Sequence, residues 1–317
     1  MLDAELVANI TKSPERIRFL DAVRGFALFG ILLMNLEAFT GPLLGALTGV
    51  NMELLGANRW ADAFIYIFVQ GKFWTLFSMM FGVSFALMYE RAQTGAANFK
   101  GIYLRRLFAL LAIGFIHYVF IWEGDILFSY ALAGFILLWL LNSEKPIRIS
   151  LIFAWYVVPL LLVSAFGVFS SDSQSSSEFT EQLAEQALMQ GQGTYAEVVN
   201  WRFKLFMDSF SDLMVFLPML VALFLIGARL YRAGKISPFL KAEQKDIWLP
   251  LLLFVIGICL MMISIHIAPS IDITHMNKTF SQVMVLNLIA GPLMCLGYFF
   301  GLRVLWAIEG FRDKFNL

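Results

Sequence analysis

Few residues in this chain are able to do chemistry, and most of them stand in apolar surroundings. The 317 residues include three histidines. His117 is followed at short range by Glu123 and Asp125. A neutral imidazole held by a carboxylate can take a proton from an acceptor hydroxyl, which is general-base chemistry. The same histidine can equally be a satisfied packing residue between helices. Asp21 and Arg24 share one face of a helix and are spaced to pair. Asn35 lies about 16 Å beyond Arg24 along that helix, with Glu37 just after it. Arg105 and Arg106 precede His117 by a similar rise. Lys72 interrupts FIYIFVQGKFWTLFSMMFG, where it is either a snorkelling structural lysine or a functional cation. His266 and His275, with Asp272 between them, lack metal-ligand spacing on a regular element, and no metal site is expected. Neither a phosphate-cradling glycine loop nor a zinc motif nor a nucleophile elbow occurs. Cys259 and Cys295 fall in apolar runs and read as packing residues.

The elements that must position these residues are helices surrounded by lipid. Hydrophobic residues make up 60% of the chain, charged residues 15%, and the mean hydropathy is +0.76. A soluble core inside a polar shell does not have that composition. The apolar residues come in blocks of roughly 18 to 25, long enough to cross hydrocarbon as helix and without the alternation of barrel strands. The fold class is therefore all-α, a polytopic integral membrane bundle of about eight transmembrane helices. The expected spans run 19–43, 63–89, 103–122, 125–142, 149–169, 211–231, 247–267 and 283–307. An ionisable group within a span must face the bundle interior, a water-filled cavity or the interface. Asp21, Glu37, Lys72 and Glu123 thus mark a polar pathway.

With the N-terminus in the cytoplasm, 18 of the 23 Lys and Arg residues fall on the inner side. The five on the outer side are Arg59, Lys72, Arg202, Lys204 and Lys278. Short basic loops resist translocation, so this orientation is expected. The first eighteen residues lack a cleavable apolar region and should lead into an uncleaved signal anchor. The formal net charge is zero, and the basic residues serve topology and membrane lipids rather than nucleic acid. The whole of 1–317 forms a single transmembrane domain. Its one long external segment is 170–210, expected to be an extracytoplasmic loop. Phe179, Leu183, Ala187 and Leu188 recur at helical spacing there, as do Tyr195, Val198, Val199, Arg202 and Leu205. Amphipathic helices follow, as a surface connector or as a lid over a site.

Several segments carry a family likeness. RIRFLDAVRGFALFGILLMN at 16–35, GKFWTLFSMMFG at 71–82 and YLRRLFALLAIGFIHYVFIWEGDILFSYA at 103–131 resemble the YeiB-type family of bacterial inner-membrane proteins of unknown function. GQGTYAEVVNWR at 191–202 and LFLIGARLYRAG at 223–234 resemble later landmarks of that family. Leu-Asp-x-x-Arg-Gly at 20–25 also resembles the wider superfamily of transmembrane acyltransferases. That resemblance implies transfer of an acyl group from cytosolic acyl-CoA, through the bundle, to an extracytoplasmic glycan or small-molecule acceptor. Arg24, Arg105 and Arg106 would then attract the phosphates of acyl-CoA, since guanidinium groups hold phosphate well. His117, with Asp125 and Asn35, would serve the acceptor side. The heparan-type enzymes resemble one another in a histidine before the second span, and GANRWADAF at 56–64 has none. YeiB-like proteins continue into further helices after the eighth span, so a chain ending at FRDKFNL reads as a truncated member. Two other classes fit the same residues. Asp21, Arg24, Lys72, His117 and Asp125 also suit a small-solute or proton-coupled transporter, and 170–210 would suit a scaffold's partner surface.

Overall fold

The structure, a computed structural model, describes residues 18–93, 98–141, 148–169, 176–234, 244–270 and 278–308. The charged start of the expected signal anchor, the first serines of 170–210, Asp272, His275 and the FRDKFNL end lie outside the described residues. So do Lys12, Arg16, Lys145, Lys235, Lys241, Arg312 and Lys314.

Besides a one-turn helix at Leu43–Ala46, eleven longer α-helices organise the described residues: α1 (Arg18–Thr40), α2 (Gly56–Phe64), α3 (Lys72–Gln93), α4 (Phe99–Ile116), α5 (Leu127–Leu141), α6 (Ile149–Phe169), α7 (Ser176–Gln192), α8 (Tyr195–Asp208), α9 (Phe210–Arg232), α10 (Trp248–Ile267) and α11 (Lys278–Trp306). Among the described residues there is no strand, only an isolated antiparallel bridge between Gly49 and Ser270. The all-helical expectation holds. Six helical stretches are long and apolar enough to cross a membrane: α1, 56–93, 99–121, 213–232, α10 and α11. The other two expected spans coincide with shorter apolar helices, α5 and 149–165. The 15 residues of α5 rise about 22 Å, less than the roughly 30 Å of a hydrocarbon core.

Helix α3 is the centre, packed against α1, α9 and α11. Its crossing with α9 is set by two glycines. A Cβ on Gly82 would lie 1.8 Å from the Phe224 carbonyl oxygen, and one on Gly227 would lie 1.9 Å from that of Met79. Only hydrogen fits where the two backbones touch, the small-residue logic of helix packing in membranes. Around this crossing Phe85, Leu107, Tyr130, Leu137 and Phe224 form the largest buried cluster. Large apolar side chains such as Phe29, Phe108, Leu161 and Leu252 face outward, a surface suited to lipid.

Two π-helical turns interrupt the bundle, Ile65–Val69 after α2 and His117–Ile121 after α4. Each reads Xaa-Tyr-β-branched-Phe-β-branched, IYIFV and HYVFI. In each, the next residue donates to the first residue's carbonyl: Gln70 N–H to Ile65 O and Trp122 N–H to His117 O, both at 2.8 Å. The chain then turns, through Gly71 at φ +76° in the first case, and a further helix begins. Carbonyls freed at a helix end inside hydrocarbon need internal donors. Lys72 Nζ donates to Tyr66 O at 2.8 Å and Tyr298 OH to Phe68 O at 2.7 Å. Tyr195 OH donates to Phe120 O at 3.1 Å in the second turn.

Candidate functional site

The polar residues gather at two ends of the bundle, named here for Arg24 and for His117. At the Arg24 end, Asp21 accepts from Arg24 at 3.2 Å, the pairing expected from their spacing. A second Arg24 nitrogen donates to Ser84 Oγ of α3 at 2.8 Å. Between α3 and α4 lies a hollow of about 170 Å³ whose lining includes Ser84, Met88, Tyr103 and Arg106. Arg106 donates to Met88 Sδ at 3.0 Å, and the Tyr103 hydroxyl is buried without a hydrogen-bond partner. Arg105, one position along α4, is exposed and is not part of that lining. The structure therefore places Arg106 in the lining of this hollow and ties Arg24 to it through Ser84, while Arg105 is not part of it.

At the other end α4 finishes in the π turn that begins with His117. His117 Nδ1 lies 3.0 Å from Asp125 Oδ2. The second Asp125 oxygen accepts from Phe128 N–H at 2.9 Å, at the start of α5. An acceptor-only carboxylate on Nδ1 requires that nitrogen to carry the proton, which leaves Nε2 as the basic atom. The His117 side chain is 33% exposed and that of Asp125 1%.

Glu123 plays a different part from the one its polar-pathway assignment suggested. It is buried and accepts from Gln186 at 3.0 Å, Gln190 at 2.7 Å and Arg202 at 2.9 Å. Those three donors come from α7 and α8, so Glu123 fastens the two outer helices to the 122–126 turn. Gln186 also accepts from Leu44 N–H, and Thr194 with Glu197 forms a capping box at the start of α8. This folded pair lies over the turn that carries Asp125. Gln186 and Gln190 were passed over in the sequence because they belong to no chemical motif. Their i, i+4 spacing, on the same face of α7 as Leu183, was the available signal.

Glu37 meets Asp62 of α2, within hydrogen-bond reach, and Asp62 also accepts from Asn51 N–H at 2.8 Å. Asn35 is partly buried and makes no side-chain hydrogen bond. Neither joins the His117–Asp125 pair. Lys72 is 1% exposed, so it does not snorkel. Its amine contacts Tyr66 O, Met261 Sδ at 3.3 Å and the Tyr66 ring. Beside it Asn287 donates to the Tyr66 hydroxyl at 3.0 Å and to Ser264 Oγ at 3.1 Å, a network that joins α10 and α11 to the first π turn. Among the described residues no group of three or more His, Cys, Asp or Glu side chains converges as a metal site would.

A second hollow, of about 240 Å³, adjoins the dyad and is lined by Tyr118, Asp125, Ser129, Phe206, Ser209 and other aromatic residues. Phe206, on α8, is its hub, at 5.2 Å from the Tyr118 ring and 4.9 Å from that of Phe128.

No family model matches the chain, and no solved structure matches it. The chain is similar to uncharacterized protein YxaH of Bacillus subtilis (strain 168), 36% identical over 203 residues, which are 61% of this chain and 49% of the relative. It is similar to uncharacterized protein YeiB of Escherichia coli (strain K12), 36% identical over 173 residues, 52% of this chain and 42% of that one. An uncharacterized 39.9 kDa protein of Bacillus acidopullulyticus is 38% identical over 135 residues, 43% of this chain and 37% of that one. The chain thus spans half or less of the length of each of these relatives. The likenesses support a YeiB-like family.

Proposed function

We propose that this YeiB-like chain is a membrane-embedded acyltransferase of the bacterial cytoplasmic membrane. Acyl-CoA is held at the Arg24 end, in the cytoplasm with the N-terminus, and the acyl group passes to an extracytoplasmic acceptor at the His117 end. In this reading all eight apolar helices span the bilayer and α7–α8 lie outside. The observation that carries it is the 3.0 Å contact between His117 Nδ1 and Asp125, which leaves Nε2 as the basic atom of a partly exposed side chain. His117 takes the proton of the acceptor hydroxyl or amine as its oxygen or nitrogen attacks the acyl carbonyl. The carbon–sulfur bond breaks and CoA leaves as the thiolate. Arg24 and Arg106 supply phosphate-binding charge at the opposite end. Arg106 and His117 are about 16 Å apart along α4, a span within reach of the extended arm of acyl-CoA.

The test is a stability screen of the purified chain with acyl-CoAs of different length, followed by thioester turnover in His117→Ala. Saturable stabilisation and turnover lost in the variant support the reading. Absence of both in the unaltered protein ends it.

One observation favours a transporter instead. The helix break at Gln70–Gly71 places the buried Lys72 amine against Tyr66 and Met261, and broken helices with satisfied backbone are where transporters bind cargo. Gradient-driven uptake into proteoliposomes that fails in Lys72→Met, without thioester turnover, would select this reading.

A further inference from the structure

We infer that the aromatic hollow beside Asp125 is a binding site for an organic ammonium group. Its walls come from four helical elements: Tyr118 from the second π turn, Ser129 from α5, Phe206 from α8 and Phe210 from α9, with Ser209 at the α8–α9 junction. The rings stand steeply to one another, 67° between Tyr118 and Phe206 and 84° between Phe206 and Phe210. The hollow is thus an aromatic-walled space with the Asp125 carboxylate in its lining, and aromatic rings beside a carboxylate attract a cation.

The charges point the same way. Besides Glu123, which Arg202 matches, two carboxylates act on the Tyr118 hydroxyl, Asp125 and Asp208. Arg202 is matched by Glu123 at 2.9 Å, so it does not offset Asp125. Asp125 accepts from His117, from Phe128 N–H and from the Leu127 backbone, and a carboxylate has about four acceptor positions. The remaining position suits an N–H group of a primary ammonium. The hollow of about 240 Å³ has room for a small aminoalkyl or trimethylammonium head. Ser129 and Ser209 add hydroxyls for a neighbouring hydroxyl on the same ligand, as in an amino alcohol.

This site stands on its lining and not on acyl transfer, so it is tested without an acyl donor. The purified full chain in detergent is titrated calorimetrically with tetramethylammonium chloride and with ethanolamine at constant ionic strength, and with glucose as an uncharged hydroxylated probe. Phe210→Leu removes one ring at a position that is 37% exposed and keeps the apolar bulk. Thermal unfolding of that variant within a few degrees of the unaltered protein confirms its fold, and Phe216→Leu, at another ring of the lining, replaces it if unfolding shifts further. Saturable ammonium binding, weakened about two- to thirtyfold by loss of the ring, is the expected result. Absence of saturable ammonium binding, equal binding in protein and variant, or saturable binding of glucose in its place overturns the inference. Acyl transfer would then still be judged separately, by thioester turnover.

Discussion

At the level of single side chains, Asp125 determines what His117 is able to do. It fixes the proton on Nδ1, and an amide in its place can present an N–H to that nitrogen and reverse the tautomer. Asp125→Asn is therefore expected to lower acyl transfer by on the order of 10²- to 10⁴-fold, with acyl-CoA binding by calorimetry little changed. His117 and Asp125 were legible in the sequence because a polar pair eight residues apart stands out against apolar neighbours. The role of Lys72 was not, since hydropathy reports depth and says nothing of the Tyr66 carbonyl that the amine meets across a helix break.

Elements hold these side chains through contacts that composition does not display. Gly82 and Gly227 let α3 and α9 touch backbone to backbone, and the obstacle to a Cβ is a carbonyl oxygen that no side-chain rotation can move. Gly82→Ala and Gly227→Ala should each destabilise the protein by about 1–3 kcal/mol, read as a lowered unfolding midpoint in detergent. Gly25→Ala, where nothing lies within 4 Å, should not lower it comparably. Helices α7 and α8 depend on Glu123 in the same way that α3 and α9 depend on their glycines. Arg202→Ala leaves a buried carboxylate with only its two amide donors, and proteolysis within 176–208 should accelerate as the pair loosens from the turn. The amphipathic periodicity of this segment predicted helices, and helices form. That they are fastened over the Asp125 turn depended on a long-range pairing, sixty residues and more apart, which periodicity cannot carry. The repeated IYIFV and HYVFI turns were in plain view as letters, but a π turn differs from an α turn by one residue of hydrogen bonding and leaves no hydropathy mark.

The whole molecule presents cations and a small hollow at one end and an acid–base pair under two helices at the other. The helical class and six helices long and apolar enough to cross a membrane could be read from block length alone, because hydrocarbon demands internally bonded helices about 20 residues long. The two further blocks fold as shorter apolar helices, α5 and 149–165. The orientation proposed from the basic residues predicts that Gly191→Cys is labelled by a membrane-impermeant maleimide applied to intact cells, and that Asn98→Cys is labelled only after lysis; the reverse pattern would invert the assignment of donor and acceptor ends. Everything functional in the account then rests on chemistry passing between those ends. The most direct test is the rate of free thiol release from acyl-CoA supplied at the Arg24 side of proteoliposomes, with an amino alcohol acceptor on the other side. The account predicts steady release in the unaltered protein, falling on the order of 100-fold or more in His117→Ala. Equal release in the two proteins, or none in either, would contradict it.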